Sequence, residues 1–269
     1  MGEDEFVSTC LGRLYVQRRG NGPVTVLWHS LFLDSRSWRP LMDALGEVAP
    51  QRTLLTIDGP SHGRSAPVTR DFTFDECAHA AADVLDGLGI DEPVDWVGNA
   101  WGGHIGILLA AVKPERIRTL TTIGTPVHGI STRFRVTKAW PLVALYRLCG
   151  PTRLVCDPLS TALLGSDDSA EVMAAFRQAD RIGMYHAARS MMLKRPDLHD
   201  RLPQIAAPML MLAAHDDDEG WPPQQAEAAC ATMRNARVEV VTGGGRVAPL
   251  LVDAKTVART LVDFWAGPV

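Results

Sequence analysis

Hydrophobic and polar positions along the chain alternate between short β-branched runs and longer stretches with helical spacing. Runs at 11–18, 23–28, 52–57, 93–97 and 117–123 predict strands, the one at 52–57 of the fully buried kind. Between them, 35–45, 74–88 and 101–112 repeat apolar residues every three to four positions, which predicts helices. Ser35 or Ser37 is placed to cap the first of these, and Gly89 to end the second. Strand and helix repeated in this order predict a parallel sheet covered by helices on both faces.

The pattern changes after the run at 117–123. From 127 to 202 there is almost no strand signal, and 140–148, 159–164, 170–181 and 184–193 read as helices. Alternation then resumes, with strands at 208–213 and 236–241 and helices at 223–233 and 255–265. There is no internal repeat and no Gly/Ser linker. The simplest division is one α/β core, 1–127 plus 204–269, interrupted by a helical segment at 128–203. A segment of that length between two strands reads as a lid or cap.

Composition narrows the class. Of 269 residues, 46% are hydrophobic and 22% charged, so disordered and low-complexity classes are excluded. The net charge is −4 and the basic residues are scattered, which argues against a nucleic-acid partner. No apolar run approaches the roughly eighteen residues of a membrane span. The acidic start Met1-Gly2-Glu3-Asp4-Glu5 is not a signal peptide. Five cysteines without a CxxC pair predict reduced, mostly buried thiols in a cytoplasmic protein. Neither H-x-x-E-H spacing nor a G-K-[ST] phosphate loop is present, so no metal and no cofactor are expected. The oligomeric state has no signature in the sequence.

Chemistry is concentrated in a few turns. Gly98-Asn99-Ala100-Trp101-Gly102-Gly103 follows a strand and opens a helix. Small residues around position 100 suit a sharp strand-to-helix turn of the G-x-S-x-G kind, but the central residue is Ala100. His29-Ser30-Leu31 ends an earlier strand, and Asp58-Gly59-Pro60-Ser61-His62-Gly63-Arg64-Ser65 ends the next. In this order and at these spacings the motifs resemble the α/β-hydrolase family over nearly the whole chain. His29-Ser30 stands at the usual His-Gly, and Asp58 to Ser65 at the D-x-P-G-H-G-x-S loop.

The resemblance implies a mostly parallel, doubly wound sheet with a helical cap. It also implies a Ser–His–acid triad beside an oxyanion hole. Carried over by position, the nucleophile site is Ala100. The oxyanion donors are the N–H groups of Trp101 and of Leu31 or Phe32. The acid is Asp217 or Asp218, after the strand at 208–213, and the histidine position is Arg246. A guanidinium cannot serve as a general base near neutral pH. Arg246 is instead suited to pair with Asp217 or Asp218. The bulky apolar composition of 128–203, together with Phe32, Trp101 and Trp221, implies a small, mainly hydrophobic ligand, with His29, Trp140 and Trp221 as further pocket residues.

Three functions follow. The chain is a hydrolase for an ester, lactone or related bond whose nucleophile has been replaced by alanine. Alternatively it is a lyase, isomerase or cyclase that uses an oxyanion hole and an aspartate. The third reading is a catalytically dead small-molecule binder. The fold alone does not choose among them.

Overall fold

The computed structural model describes residues 3–164, 170–217, 220–243 and 245–267. Its strands are β1 (Glu3–Thr9), β2 (Gly12–Arg19), β3 (Val24–Trp28), β4 (Thr53–Ile57), β5 (Val94–Asn99), β6 (Ile117–Ile123), β7 (Met209–Ala214) and β8 (Ala236–Val241). They form one sheet in the order β1-β2-β4-β3-β5-β6-β7-β8. Pairs β1–β2 and β2–β4 are antiparallel, and every pair from β4 to β8 is parallel. Every residue of β4, β5 and β7 is buried, as expected where helices cover both faces.

Strand β1 was not legible from the apolar pattern. Its residues are charged or polar except Phe6 and Val7, and most are exposed, so it adds an edge rather than a core strand. It is held by register, Glu3 opposite Arg18 through Thr9 opposite Gly12, and by Phe6 packing on Tyr15 at 5.5 Å.

Helices α1 (Arg39–Val48), α2 (Phe74–Gly87) and α3 (Trp101–Val112) fall where the periodicity places them. The first is preceded by a 3₁₀ turn, Ser35–Trp38, and the cap is Asp34 rather than either serine. The Asp34 carboxylate accepts from Arg36 N–H at 3.0 Å. Helix α2 opens on a reciprocal box: Thr73 Oγ1 accepts from Glu76 N–H at 3.1 Å, and Glu76 Oε2 from Thr73 N–H at 2.8 Å. Helix α3 is buried from Trp101 to Ala110.

Between β6 and β7 the described residues form helices and no strand. A short helical stretch at Thr132–Phe134 and a π-turn at Arg135–Ala139 were not foreseen. The helix expected at 159–164 begins earlier, at Arg153, and runs through Pro158. Burial of Val155, Cys156, Leu159, Leu163 and Leu164 outweighs the proline. The helix expected at 170–181 stops at Gln178, because Asp180 caps the next one, Arg181–Leu193, by accepting from Gly183 N–H at 2.7 Å. Two further helices, Ala248–Val252 and Ala254–Ala266, follow β8.

Cys77 and Cys156 are buried, but Cys10 and Cys149 are exposed, so the thiols are less sequestered than expected. Among the described residues no helix is long and apolar enough to cross a membrane.

Candidate functional site

The strand order places β3 between β4 and β5, the point where the winding of the sheet reverses. In such sheets the crevice at the carboxyl ends of the strands is where ligands bind. A cavity of about 170 Å³ opens there. Ser30, Leu31 and Phe32 reach it from the end of β3, and Ala100 and Trp101 from the end of β5. Asp217 follows β7 and Arg246 follows β8, and both also line it. The helical segment between β6 and β7 roofs it with Phe134, Leu163, Met191 and Arg195.

Ala100 holds φ +46° and ψ −101°, outside the range an alanine ordinarily adopts. The glycines around it make the turn possible. A Cβ on Gly98 would sit 2.2 Å from the Gly102 carbonyl, and one on Gly102 would sit 1.9 Å from the Trp28 carbonyl oxygen. The turn is also pinned. Ala100 N–H donates to Ile123 O at 2.8 Å, and Ala100 O accepts from Gly103 and His104 N–H at 3.0 and 3.2 Å. The chain therefore builds the strained elbow, with a methyl group at its apex.

Among the described residues the other non-glycine positions with positive φ are Phe32 (+74°) and Ser61 (+68°). Ser61 stands where the loop motif has glycine, and its φ gives the reason for that glycine. The serine is accommodated with its Oγ accepting from Val68 N–H at 3.0 Å.

The two loop histidines are fully engaged. His29 Nδ1 donates to Ser30 O at 2.7 Å, and its Nε2 accepts from Gly59 N–H at 2.9 Å. His62 Nδ1 donates to Pro60 O at 2.8 Å, and its Nε2 accepts from Phe32 N–H at 3.1 Å. Both rings are neutral, with the Nδ1–H tautomer. Burial pushes the His62 imidazole down to about 3, and His29 is lowered by the same cause. Two expectations change here. His29 braces the loop instead of lining the cavity, and the Phe32 N–H is spent on His62, which leaves Leu31 as the candidate donor from that loop.

The other two expected pocket residues are not there either. Trp140 is 57% exposed and borders a separate surface groove. Trp221 is buried, its ring 6.0 Å from that of His128, while its neighbour Gly220 faces the cavity. An apolar residue at helical spacing is as compatible with the outer face of the roof as with the inner one.

Asp217 is buried and anchored. Its Oδ1 accepts from Gly220 N–H at 2.8 Å and its Oδ2 from Trp221 N–H at 3.1 Å. Asp218, the other expected acid, lies outside the described residues. Arg246 is half-buried. Burial lowers its pKa, and the Asp217 charge opposes that shift.

His104, one turn beyond Ala100, also lines the cavity. Its Nε2 donates to Pro126 O at 2.7 Å and its ring meets Phe74 edge-on. Burial, reinforced by the charges of Arg195 and Arg246, brings it down to about 3. His186 and His199 are elsewhere, paired with Asp71 and Asp197. Arg195 was missed by the sequence reading, because a lone arginine after a helix carries no motif.

The arrangement holds no side chain at position 100 that can attack a carbonyl. It retains backbone N–H groups, a fixed carboxylate and two guanidinium groups around an apolar space. Among the described residues no group of three or more His, Cys, Asp or Glu is placed to hold a metal ion.

Comparisons with known proteins agree with this architecture. Residues 25–260 match the sequence model of the alpha/beta hydrolase family. A protein of Pseudomonas savastanoi pv. phaseolicola carrying the name carbamate hydrolase RutD is 28% identical over 262 residues, 92% of this chain and 95% of that one. A pimeloyl-[acyl-carrier protein] methyl ester esterase of Xanthomonas oryzae pv. oryzae is 27% identical over 94% of this chain and 99% of its own length. The enol-lactonase of Burkholderia xenovorans LB400 superposes with a TM-score of 0.86 at 22% identity, covering 98% of this chain and 100% of that one.

Proposed function

Because this chain belongs to the alpha/beta hydrolase family, we propose that its cavity receives a small, mainly apolar molecule and that cleavage through a covalent serine intermediate is lost in it. One observation carries the reading: Ala100, Asp217 and Arg246 line the same cavity. These are the positions the family resemblance assigns to nucleophile, acid and base. A methyl group and a guanidinium occupy two of them, and neither can perform the corresponding step.

In this reading the segment 128–203 is the cap, and the N–H groups of Trp101 and Leu31 form the oxyanion hole. The relatives named as esterase and carbamate hydrolase support an ester- or carbamate-like ancestry for the substrate. The free cysteines favour a cytoplasmic protein.

The retained elbow favours non-hydrolytic chemistry over an inert binder. Holding alanine in that conformation costs about 1–3 kcal/mol. What the strain secures is the Trp101 N–H at the start of α3, where the helix dipole favours negative charge. Such a donor can stabilise a developing oxyanion, as in enolate-forming isomerase, lyase or cyclase steps. Asp217, with both oxygens held by backbone N–H groups, acts there as a fixed charge beside Arg246.

The test is turnover of p-nitrophenyl acetate beside ligand binding. Hydrolysis at the buffer rate with saturable binding of a small aromatic ligand is the expected result. Hydrolysis well above buffer that is lost on changing a histidine would overturn the reading.

A further inference from the structure

Two guanidinium groups line the cavity that Ala100 also lines, and they come from separate parts of the chain. Arg246 comes from the loop after β8, and Arg195 from just beyond the roof helix Arg181–Leu193. Arg195 is anchored through its backbone, its carbonyl accepting from Ile130 N–H at 3.3 Å. Its Nε is buried and has no hydrogen-bond partner among the described residues. An arginine side chain ordinarily extends its head to water, and leaving a buried donor of a charged group unpaired is costly.

The fields of the two groups overlap. His104 and His128 are each pushed down by both arginines, after burial. Arg195 itself is lowered to about 10, by burial first and then by the charge of Arg246. Asp217 supplies the one carboxylate among the described lining residues, and its two oxygens already accept backbone hydrogen bonds. Two positive charges against one negative leave the described lining at +1. The remainder of the wall is apolar, including Phe74, Leu163 and Met191.

We propose that the ligand of this cavity is a carboxylate carried on a compact apolar body, with Arg195 and Arg246 receiving the carboxylate and the apolar wall the body. The proposal rests on the reading of the cavity as a ligand site given above, and it names the class of ligand. Guanidinium donors match the two oxygens of a carboxylate in a fixed fork, which gives orientation as well as charge. A monoanion neutralises the +1 lining, whereas a phosphate dianion would leave an uncompensated negative charge in a partly desolvated site. The volume of about 170 Å³ is that of a site for a single ring.

The experiment is calorimetric titration of the full chain with phenylacetate and with its neutral isostere phenylacetamide. The variants are Arg195→Met, Arg195→Lys and Arg246→Met, with thermal unfolding of each as the control for folding. Phenylacetate is expected to bind at least about tenfold more tightly than the amide. Arg195→Met is expected to abolish that preference by weakening phenylacetate more than the amide, and Arg195→Lys to keep part of it. Equal binding of the two probes by the parent chain overturns the carboxylate assignment and leaves the apolar-ligand reading standing. A preference that survives both Arg195→Met and Arg246→Met assigns the anion elsewhere and overturns the proposal. Binding of neither probe overturns this inference together with the reading on which it rests.

Discussion

Asn99 Nδ2 donates to the backbone carbonyl of Arg246 at 2.6 Å. The same nitrogen donates to Ile123 O at 3.0 Å. The residue before the elbow therefore ties together the carboxyl ends of β5 and β6 and the loop after β8. Removing it as Asn99→Ala leaves two buried carbonyls without this donor. A loss of about 1–3 kcal/mol in unfolding free energy is expected, read from urea denaturation. Affinity for a cavity ligand is expected to fall as well, since Arg246 loses its anchor.

The strain at Ala100 can be released. Glycine adopts φ +46° without a Cβ penalty, so Ala100→Gly is expected to stabilise the fold by about 1 kcal/mol. Stability equal to or below that of the parent chain would show that the conformation costs an alanine nothing.

The elbow also predicts how activity returns. Ala100→Ser alone supplies a hydroxyl with no base, so hydrolysis of p-nitrophenyl acetate is expected to stay near the buffer rate. Ala100→Ser with Arg246→His completes the triad beside Asp217 and is expected to raise the rate by at least about 100-fold over the single variant. No difference between the two would mean that position 246 does not face position 100 as a base must.

Glycine substitutions should divide sharply by site. A Cβ at Gly102 meets the Trp28 carbonyl oxygen at 1.9 Å, whereas one at Gly46, inside α1, meets nothing within 4 Å. Gly102→Ala is expected to destabilise by more than about 3 kcal/mol or to prevent folding. Gly46→Ala is expected to stabilise by about 0.5–1 kcal/mol. Thermal unfolding of the pair is the measurement.

Acid should unfold this protein through its buried imidazoles. His62 and His104 are depressed to about 3, and His29 and His128 are lowered, against 6.5 for an ordinary histidine. In the unfolded chain these groups bind protons as pH drops below 6.5, while in the folded chain His62 and His104 stay neutral down to about 3 and His29 and His128 take up a proton less readily than when unfolded. Stability is therefore full above 6.5 and declines as pH falls toward 3. Asp58, raised by burial beside His29, acts in the opposite sense at the acid end. The urea midpoint should drop between pH 7 and pH 5, and His62→Gln should reduce that slope by about one proton. An unchanged slope would remove His62 from the account.

Much of the site was legible in the sequence because its elements are local. The spacing of Gly98, Ala100 and Gly102 specifies a turn too tight for larger residues at the two glycines, and the structure gives the contacts that forbid a Cβ there. Asp217 and Arg246 were singled out by the family resemblance, and a parallel sheet brings both to the cavity because it delivers successive strand ends to one edge. The helical run between β6 and β7 was legible for the same reason, whereas its boundaries at Arg153 and Asp180 were set by packing and by a cap.

The sequence by itself thus determined the order of elements, the parallel sheet, the strained turn and the residues at its apex and after the last two strands. Each of these depends on backbone sterics or on burial along a single element. Only the tertiary structure decided that Arg195 enters the cavity, that Trp140 faces outward, that the Phe32 N–H is taken by His62, and that a charged segment adds strand β1. Those outcomes depend on which distant surface a residue meets. Periodicity reports that a face is apolar, but not what lies across from it, and a charged side chain without a motif gives no local sign of the company that burial imposes on it.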